Sequence, residues 1–258
     1  MKYAWSVWPS LQKRICSSKQ KLLILDFDGT LAKIVKKPHE AALEKQTKDI
    51  LAALSQSPFY KLAVISGRSL NDLMSFFHIK NIIYTGNHGL ELKGNGLSLP
   101  IQAKKAKKLG ALVWLLGEKI KDEFSKVPGI FIENKNYTLS VHYRNVSKPY
   151  LPFFKQEIAR FRKQYAHWPL VWRKGKKVWE VRPGMKWHKG DAALYLAGKF
   201  PAALPIVIGD DATDEDMLRA MRHRGVTIHV GRAKSSSAEY YLKSSKDVTT
   251  FLGQLCRS

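Results

Sequence analysis

Apolar positions fall into two patterns along the chain, and the alternation between them predicts the architecture. Short unbroken runs occur at Leu22–Leu25, in "KLAVIS" up to Ile65, in "IIY" at 82–84, in "PIVIG" up to Gly209 and in "VTIHV" from Val226. Runs this short, with no polar face, predict strands covered on both sides in a parallel sheet. Between them the spacing is helical. Ala42, Leu43, Ile50, Leu51 and Leu54 predict a helix over Glu40–Leu54, and Ser69 with Asp72 makes a capping-box-like start to "LNDLMSFF". Strands alternating with helices predict an α/β fold with a doubly wound parallel sheet.

The middle of the chain breaks this rhythm. Ala103–Phe124 is a long, partly basic helical stretch. In "NYTLSVHYR", Tyr137, Leu139, Val141 and Tyr143 alternate with Thr138, Ser140, His142 and Arg144, the pattern of a half-buried antiparallel strand. A helix near Pro149–Tyr165 follows, and then "LVWRKGKKVWEVRP", a hairpin with its turn expected at Lys174–Gly175–Lys176. The order helix, hairpin, helix, hairpin over residues 101–181 predicts a small α+β domain. It would be inserted between two halves of the core, 21–100 and 182–258.

Length and composition fit this picture: 258 residues with 45% apolar character give one large domain carrying a smaller one. Charge adds something the patterning does not. Lys and Arg number 44 against 21 Asp and Glu, a formal charge of +23. Such an excess attracts nucleic acid, lipid head groups or phosphorylated small molecules without choosing among them. The two cysteines, Cys16 and Cys256, lack metal-ligand spacing and make no disulfide framework, which points to a reducing compartment. No apolar run approaches the roughly 18–20 residues that span a bilayer. The opening 20 residues lack the apolar stretch and cleavage site of a signal peptide. They read as a basic, solvated arm in which Trp5 and Trp8 offer at most a weak membrane or partner contact. A monomeric cytoplasmic protein with no membrane partner is expected.

Candidate chemistry sits at the strand ends, where open parallel sheets place their sites. The first strand runs into Asp26 and Asp28, the second into Ser66, and "IVIGDD" into Asp210 and Asp211. Residues two apart share a face, so Asp26 and Asp28 can converge on one cavity. Carboxylates gathered there repel one another unless a cation neutralises them, and all-oxygen ligation suits Mg²⁺. Phosphoryl transfer follows from this set. One carboxylate attacks phosphorus, a second moves a proton, and Ser66 with a lysine holds phosphate oxygens. Lys189 offers itself just before a helix start, in competition with Lys186 and His188.

The segments "DFDGT", "SGR", "HKGDAAL" and "GDDATDED" follow the order of the four motifs of the haloacid dehalogenase superfamily. Through "GNHGLE", "IENKNYTLSVHYR", "VWEVRPGMKWHKG" and "IGDDATDEDM" the chain resembles trehalose-6-phosphate phosphatases over about residues 20–255. This resemblance implies Asp26 as nucleophile and Asp28 as general acid and base. It implies Mg²⁺ held by the Asp26 carboxylate, the Asp28 backbone carbonyl and Asp210, with Asp214 as ligand or neighbouring acid. Ser66 and Lys189 match the phosphate-holding positions, and the insert matches a cap that closes over a phosphorylated disaccharide. Asn87, His88, Glu91, Glu133, Lys135, His142, Arg144 and Glu180 are then candidates for sugar contact, with Glu180 foremost.

Plainer roles stand beside these. Asp26 and Asp28 alone are compatible with a strand-end turn, since Asp–Gly steps turn readily. Thr213 with Asp216 reads as a capping box, which makes Glu215 and Asp216 first-turn acids. His88 and His142 suit structural hydrogen bonds as well as substrate, Arg144 and Glu180 suit a cap salt bridge, and Trp172 and Trp179 read as packing residues. Competing functions are a phosphatase for sucrose 6-phosphate or mannosyl-3-phosphoglycerate, a hexose phosphomutase, or a basic nucleic-acid-binding protein on a degenerate fold of this kind. No nucleic-acid motif supports the last, and nucleic acid is not the expected partner.

Overall fold

The computed structural model describes residues 1–35, 38–94, 96–135, 137–185, 187–233 and 235–257. The chain divides into two compact units, Met1–Leu99 with Trp187–Ser258, and Pro100–Lys186. In chain order the first unit contributes β1 (Lys2–Tyr3), α1 (Trp8–Cys16), β2 (Gln20–Leu25), α2 (Lys45–Gln56), β3 (Tyr60–Ile65), α3 (Leu70–Phe77), β4 (Ile82–Gly86) and β5 (Glu91–Lys93). The second unit holds α4 (Ile101–Glu123), β6 (Phe131–Asn134), β7 (Leu139–His142), α5 (Leu151–Gln164), β8 (Leu170–Gly175) and β9 (Val178–Pro183). The first unit then resumes with α6 (Lys189–Lys199), β10 (Ala203–Gly209), α7 (Glu215–Met221), β11 (Val226–Val230), β12 (Tyr240–Leu242) and α8 (Ser245–Arg257).

In the first unit eight strands form one sheet in the order β1-β12-β11-β10-β2-β3-β4-β5. Every pairing is parallel except β4 with β5. The continuous apolar runs are explained by their neighbours. Leu23, Leu25 and Phe27 enter one buried cluster, while Leu22 and Ile24 enter the cluster on the opposite face. With β10 and β3 on its two sides, β2 lies well inside the sheet, so the residues that follow it are aimed by a fixed backbone. The doubly wound α/β reading holds. The helix read over Glu40–Leu54 begins later, at Lys45, and buries Leu51 and Leu54.

Residues 1–20 are not a solvated arm. Lys2 and Tyr3 pair with Tyr240 and Tyr241 at the sheet edge, and α1 buries Leu11 and Ile15. Trp5 and Trp8 pack tilted against each other and meet Phe251 edge to face, so these rings serve packing. Leu11 and Ile15 are four apart on one helix face. Burying such a pair stabilises by about 1.5–3 kcal/mol each, more than the basic residues between them gain from staying solvated.

The second unit is an antiparallel sheet in the order β6-β7-β9-β8 with two helices on one face. Val113, Leu116 and Ile120 of α4 and Phe154, Ile158 and Phe161 of α5 pack against Leu139, Val141 and Val181. The alternation at 137–144 resolves into β7, with Tyr143 buried just beyond it, and the partner strand β6 precedes it. Gly175 pairs with Val178, so the hairpin turns at Lys176–Lys177, later than expected, and Lys177 takes the left-handed conformation (φ 66°). Trp172 and Trp179 pack against this unit's core, meeting edge to face with ring centres 6.4 Å apart. No helix among the described residues is long and apolar enough to cross a membrane.

Candidate active site

At the C-terminal end of β2 the Asp26 amide donates to Ile208 O (3.0 Å), which ties the residue to the end of β10. Phe27 turns into the core, and Gly29 closes the turn with its N–H on Ala32 O (2.7 Å). Gly29 has φ +94°, and a Cβ there would lie 2.1 Å from the Asp210 carboxylate. Glycine is therefore required twice, for the left-handed backbone and for the approach of an acid. Beyond β10, Asp211 Oδ1 accepts the amides of Thr213 (2.7 Å) and Asp214 (3.0 Å). Asp214 Oδ2 accepts those of Asp210 (2.9 Å) and Asp211 (3.1 Å). Asp211 thus organises the turn into α7, in place of the capping box expected of Thr213 with Asp216.

These two strand ends meet the start of α6. Lys189 is buried, and its Nζ donates to Asp26 Oδ1 (2.7 Å) and Asp214 Oδ1 (2.6 Å). His188 caps that helix through Nδ1, which accepts the amides of Gly190 and Asp191, while Asp191 returns a bond to the His188 amide. Of the competing basic residues, Lys189 is the one in the acid group, His188 serves the helix start, and Lys186 lies outside the described residues.

Asp26, Asp210 and Asp214 each offer a carboxylate oxygen within 4.8 Å of the others. The electrostatics are those of three acids sharing one ammonium. Burial pushes Asp26 up and Asp214 adds to it, against the pull of Lys189. Burial, then Asp214 and Asp211, push Asp210 up to about 7. Burial also raises Asp214. Lys189 is disfavoured by burial, yet Asp26 and Asp214 outweigh that and hold it charged. The group is short of positive charge, and its donors are oxygens alone. That set fits a hard divalent cation, with Asp26 and Asp210 best placed to hold it. Asp214 already receives two amides and Lys189, which makes it an anchor of the group as much as a donor.

Asp28 stands outside this group. Its carboxylate is gripped by Arg68, Nε to Oδ2 and Nη2 to Oδ1, both at 2.7 Å. Arg68 also donates to Asp72 (2.8 Å) and lies against the rings of Phe27 and Phe76. Arg68 is the site residue that sequence reasoning passed over; the signal was the third letter of "SGR". Ser66 is buried at the end of β3, beside β2, and its Oγ accepts the Arg68 amide (3.1 Å).

Asn87 and Glu91 are brought together with each other. Asn87 Nδ2 donates to Glu91 Oε2 (2.6 Å), which also accepts the Leu70 amide (2.8 Å) at the start of α3. Asn87, His88 and Gly89 all take left-handed backbone, at φ 48°, 59° and 98°. The His88 amide bonds Ser66 O (2.9 Å) and the Asn87 amide bonds Arg68 O (2.7 Å). This strained turn therefore braces the loop that carries Ser66 and Arg68.

The remaining candidates form a row on the second unit. Register places Glu133, Ser140, Glu180 and Arg173 side by side across the sheet, on the face away from α4 and α5. Glu133 meets Lys135 (3.3 Å) and His142 (3.4 Å). Burial opposes it, but the His142 hydrogen bond and the charge of Lys135 hold Glu133 below the usual range. Glu180 pairs with Arg182 (2.8 Å), not with Arg144, which donates instead to Lys176 O (3.3 Å).

Comparison with known proteins bears on this geometry. The family model described as trehalose-phosphatase matches residues 24–248. Trehalose-phosphate phosphatase B of Arabidopsis thaliana is 30% identical over 252 residues, covering 92% of this chain and 66% of that protein. The probable trehalose-phosphate phosphatase E of the same plant is 31% identical over 257 residues, covering 92% and 70%. The solved C-terminal domain of a C. albicans trehalose-6-phosphate phosphatase superposes with a TM-score of 0.76 at 25% identity, covering 96% of each chain.

Proposed function

The chain belongs to the trehalose-phosphatase family of phosphoric monoester hydrolases, and from that premise we propose that it hydrolyses trehalose 6-phosphate with Asp26 as nucleophile. The observation that carries this reading is the buried group of Asp26, Asp210, Asp214 and Lys189 at the ends of β2 and β10 and the start of α6. A carboxylate that deep, fixed by an ammonium and beside further acids, is poised for attack on an electrophile that brings its own negative charge.

Asp26 attacks phosphorus and the bond to the sugar oxygen breaks, while Asp28 protonates the departing oxygen. Water then gives its proton to Asp28 and attacks the phosphoryl group on Asp26, which releases phosphate and restores the carboxylate. Lys189 and Ser66 hold the phosphoryl oxygens between the two steps. Mg²⁺, held by Asp26 and Asp210 with Asp214 beside them, supplies charge balance for the phosphoryl oxygens when bound. The row on the second unit supplies recognition of the disaccharide. There Glu180, with Glu133, Lys135 and His142 nearby, suits hydroxyl groups that exchange hydrogen bonds with these half-buried, paired side chains. Arg144 sits at the margin of that row.

The test is phosphate release from trehalose 6-phosphate, sucrose 6-phosphate, mannosyl-3-phosphoglycerate and glucose 6-phosphate, each with and without Mg²⁺. Turnover of the trehalose ester dominates and needs Mg²⁺. Preference for another ester moves the substrate assignment, and Asp26→Asn protein that turns over normally removes the mechanism.

A further inference from the structure

Arg68 has more partners than a loop residue needs. Its guanidinium is buried, rests against the touching rings of Phe27 and Phe76, and is anchored on Asp72 at the first turn of α3. Its Nε–H and one Nη2–H form a fork on both oxygens of Asp28. A planar fork matched to a carboxylate fixes the plane of the carboxyl group as well as its place, which a lysine cannot do. Asp28 carries the proton in the function proposed above, yet it stands just before Gly29's turn and its side chain is more than a third exposed. An exposed aspartate free to rotate would spend its time in many orientations, few of them facing the leaving oxygen. Each oxygen of the forked carboxyl keeps one lone pair, which is what proton exchange with a leaving oxygen or a water requires.

We infer that Arg68 is a positioning residue for proton transfer: through its fork it holds the Asp28 carboxyl apart from the Asp26–Asp210–Asp214 group and aims it at the leaving oxygen. Asp72, Phe27 and Phe76 hold the guanidinium in turn. The inference rests on the reading of Asp26 and Asp28 given under Proposed function.

Leaving-group chemistry separates this role from a structural one. A sugar alkoxide must receive a proton as it departs, whereas p-nitrophenolate leaves without one. Both substrates leave the same phospho-Asp26, whose hydrolysis needs Asp28 as base. Arg68→Gln and Arg68→Lys should lower kcat for trehalose 6-phosphate by about 100-fold and about 10-fold, within the range of general acid catalysis, with little change in KM. With p-nitrophenyl phosphate the same proteins should release a rapid burst of one nitrophenolate per enzyme, followed by slow turnover. Asp72→Asn, on the exposed side of the guanidinium, should shift both readouts in the same direction by a smaller factor, and it keeps the test open if the Arg68 variants fold poorly.

Asp28→Asn run alongside distinguishes the two levels of the argument. If Asp28→Asn shows the leaving-group dependence and the Arg68 and Asp72 variants do not, Arg68 has no positioning role and the function stands. If Asp28→Asn shows none, its proton-carrying role falls and the role of Arg68 with it. An equal loss on both substrates without a burst marks Arg68 as structural and overturns the inference.

Discussion

The two units hold acids in opposite ways. In the first, Asp26 at the end of β2 and Asp214 at the start of α7 are buried and share one buried lysine, so the group is strained electrostatically and rigid geometrically. In the second, Glu133 and Glu180 lie half-buried on an antiparallel sheet, each with its own basic partner from the same sheet or its margin. The first arrangement concentrates an unmet need for positive charge at one point, which is what a phosphoryl-transfer site requires. The second spreads satisfied acceptors across a surface, which suits hydroxyl groups that exchange hydrogen bonds one for one. In the function proposed above, chemistry and recognition fall on different backbones.

That division is open to direct attack. Asp26→Asn should lower kcat on the order of 10⁴-fold or more while leaving the melting transition nearly unchanged, checked by phosphate release and thermal unfolding. Glu180→Gln should instead lower kcat/KM for trehalose 6-phosphate by about 10–100-fold, the value of a hydrogen bond to a charged group, and mostly through KM. A Glu180 variant that loses kcat alone would erase the distinction between the two acid sets.

A smaller effect concerns stability. The Asp210 carboxyl moves from 3.8 to about 7 in the folded chain without a cation. Between those values the folded protein binds a proton that the unfolded chain does not. The group's contribution is therefore full below about pH 4 and lost as pH rises through 7. Metal-free protein should melt progressively lower between pH 5 and 8, and Mg²⁺ should restore the lost degrees most at the alkaline end. A melting temperature that rises over that interval in chelator would contradict the shortage of positive charge. Local in its reach is Ile15→Ala, which should cost about 2–5 kcal/mol by chemical denaturation because α1 is part of the core. A cost under about 0.5 kcal/mol would return residues 1–20 to the surface.

The parallel core was legible because its strands are covered on both faces and their apolar runs therefore carry no competing polar pattern. Asp26 and Asp210 were legible because each ends an apolar run, and Lys189 was a candidate because it precedes a helix start, whereas Asp214 came only from the family resemblance. The first 20 residues were misread because their basic side chains dominate the composition, while the Leu11–Ile15 pair that buries the helix is only two letters. Arg68 was missed for a related reason. "SGR" offers a hydroxyl suited to phosphate, and nothing local reveals that the arginine reaches across forty positions to Asp28. Asn87 and Glu91, read from the resemblance as sugar contacts, are joined to each other and to the start of α3, a pairing the sequence does not reveal. Pairing between side chains is set by tertiary packing, and no periodicity encodes it.

The account rests most heavily on Asp26 as the phosphoryl acceptor. Asp28→Asn protein, in which the proposed mechanism slows hydrolysis of the intermediate, can be mixed with trehalose 6-phosphate and Mg²⁺, quenched in acid and examined by peptide mass spectrometry. A phosphoryl adduct on the peptide carrying Asp26, absent when Asp26→Asn is added, is the predicted result. Sustained phosphate release with no adduct on that peptide would contradict it.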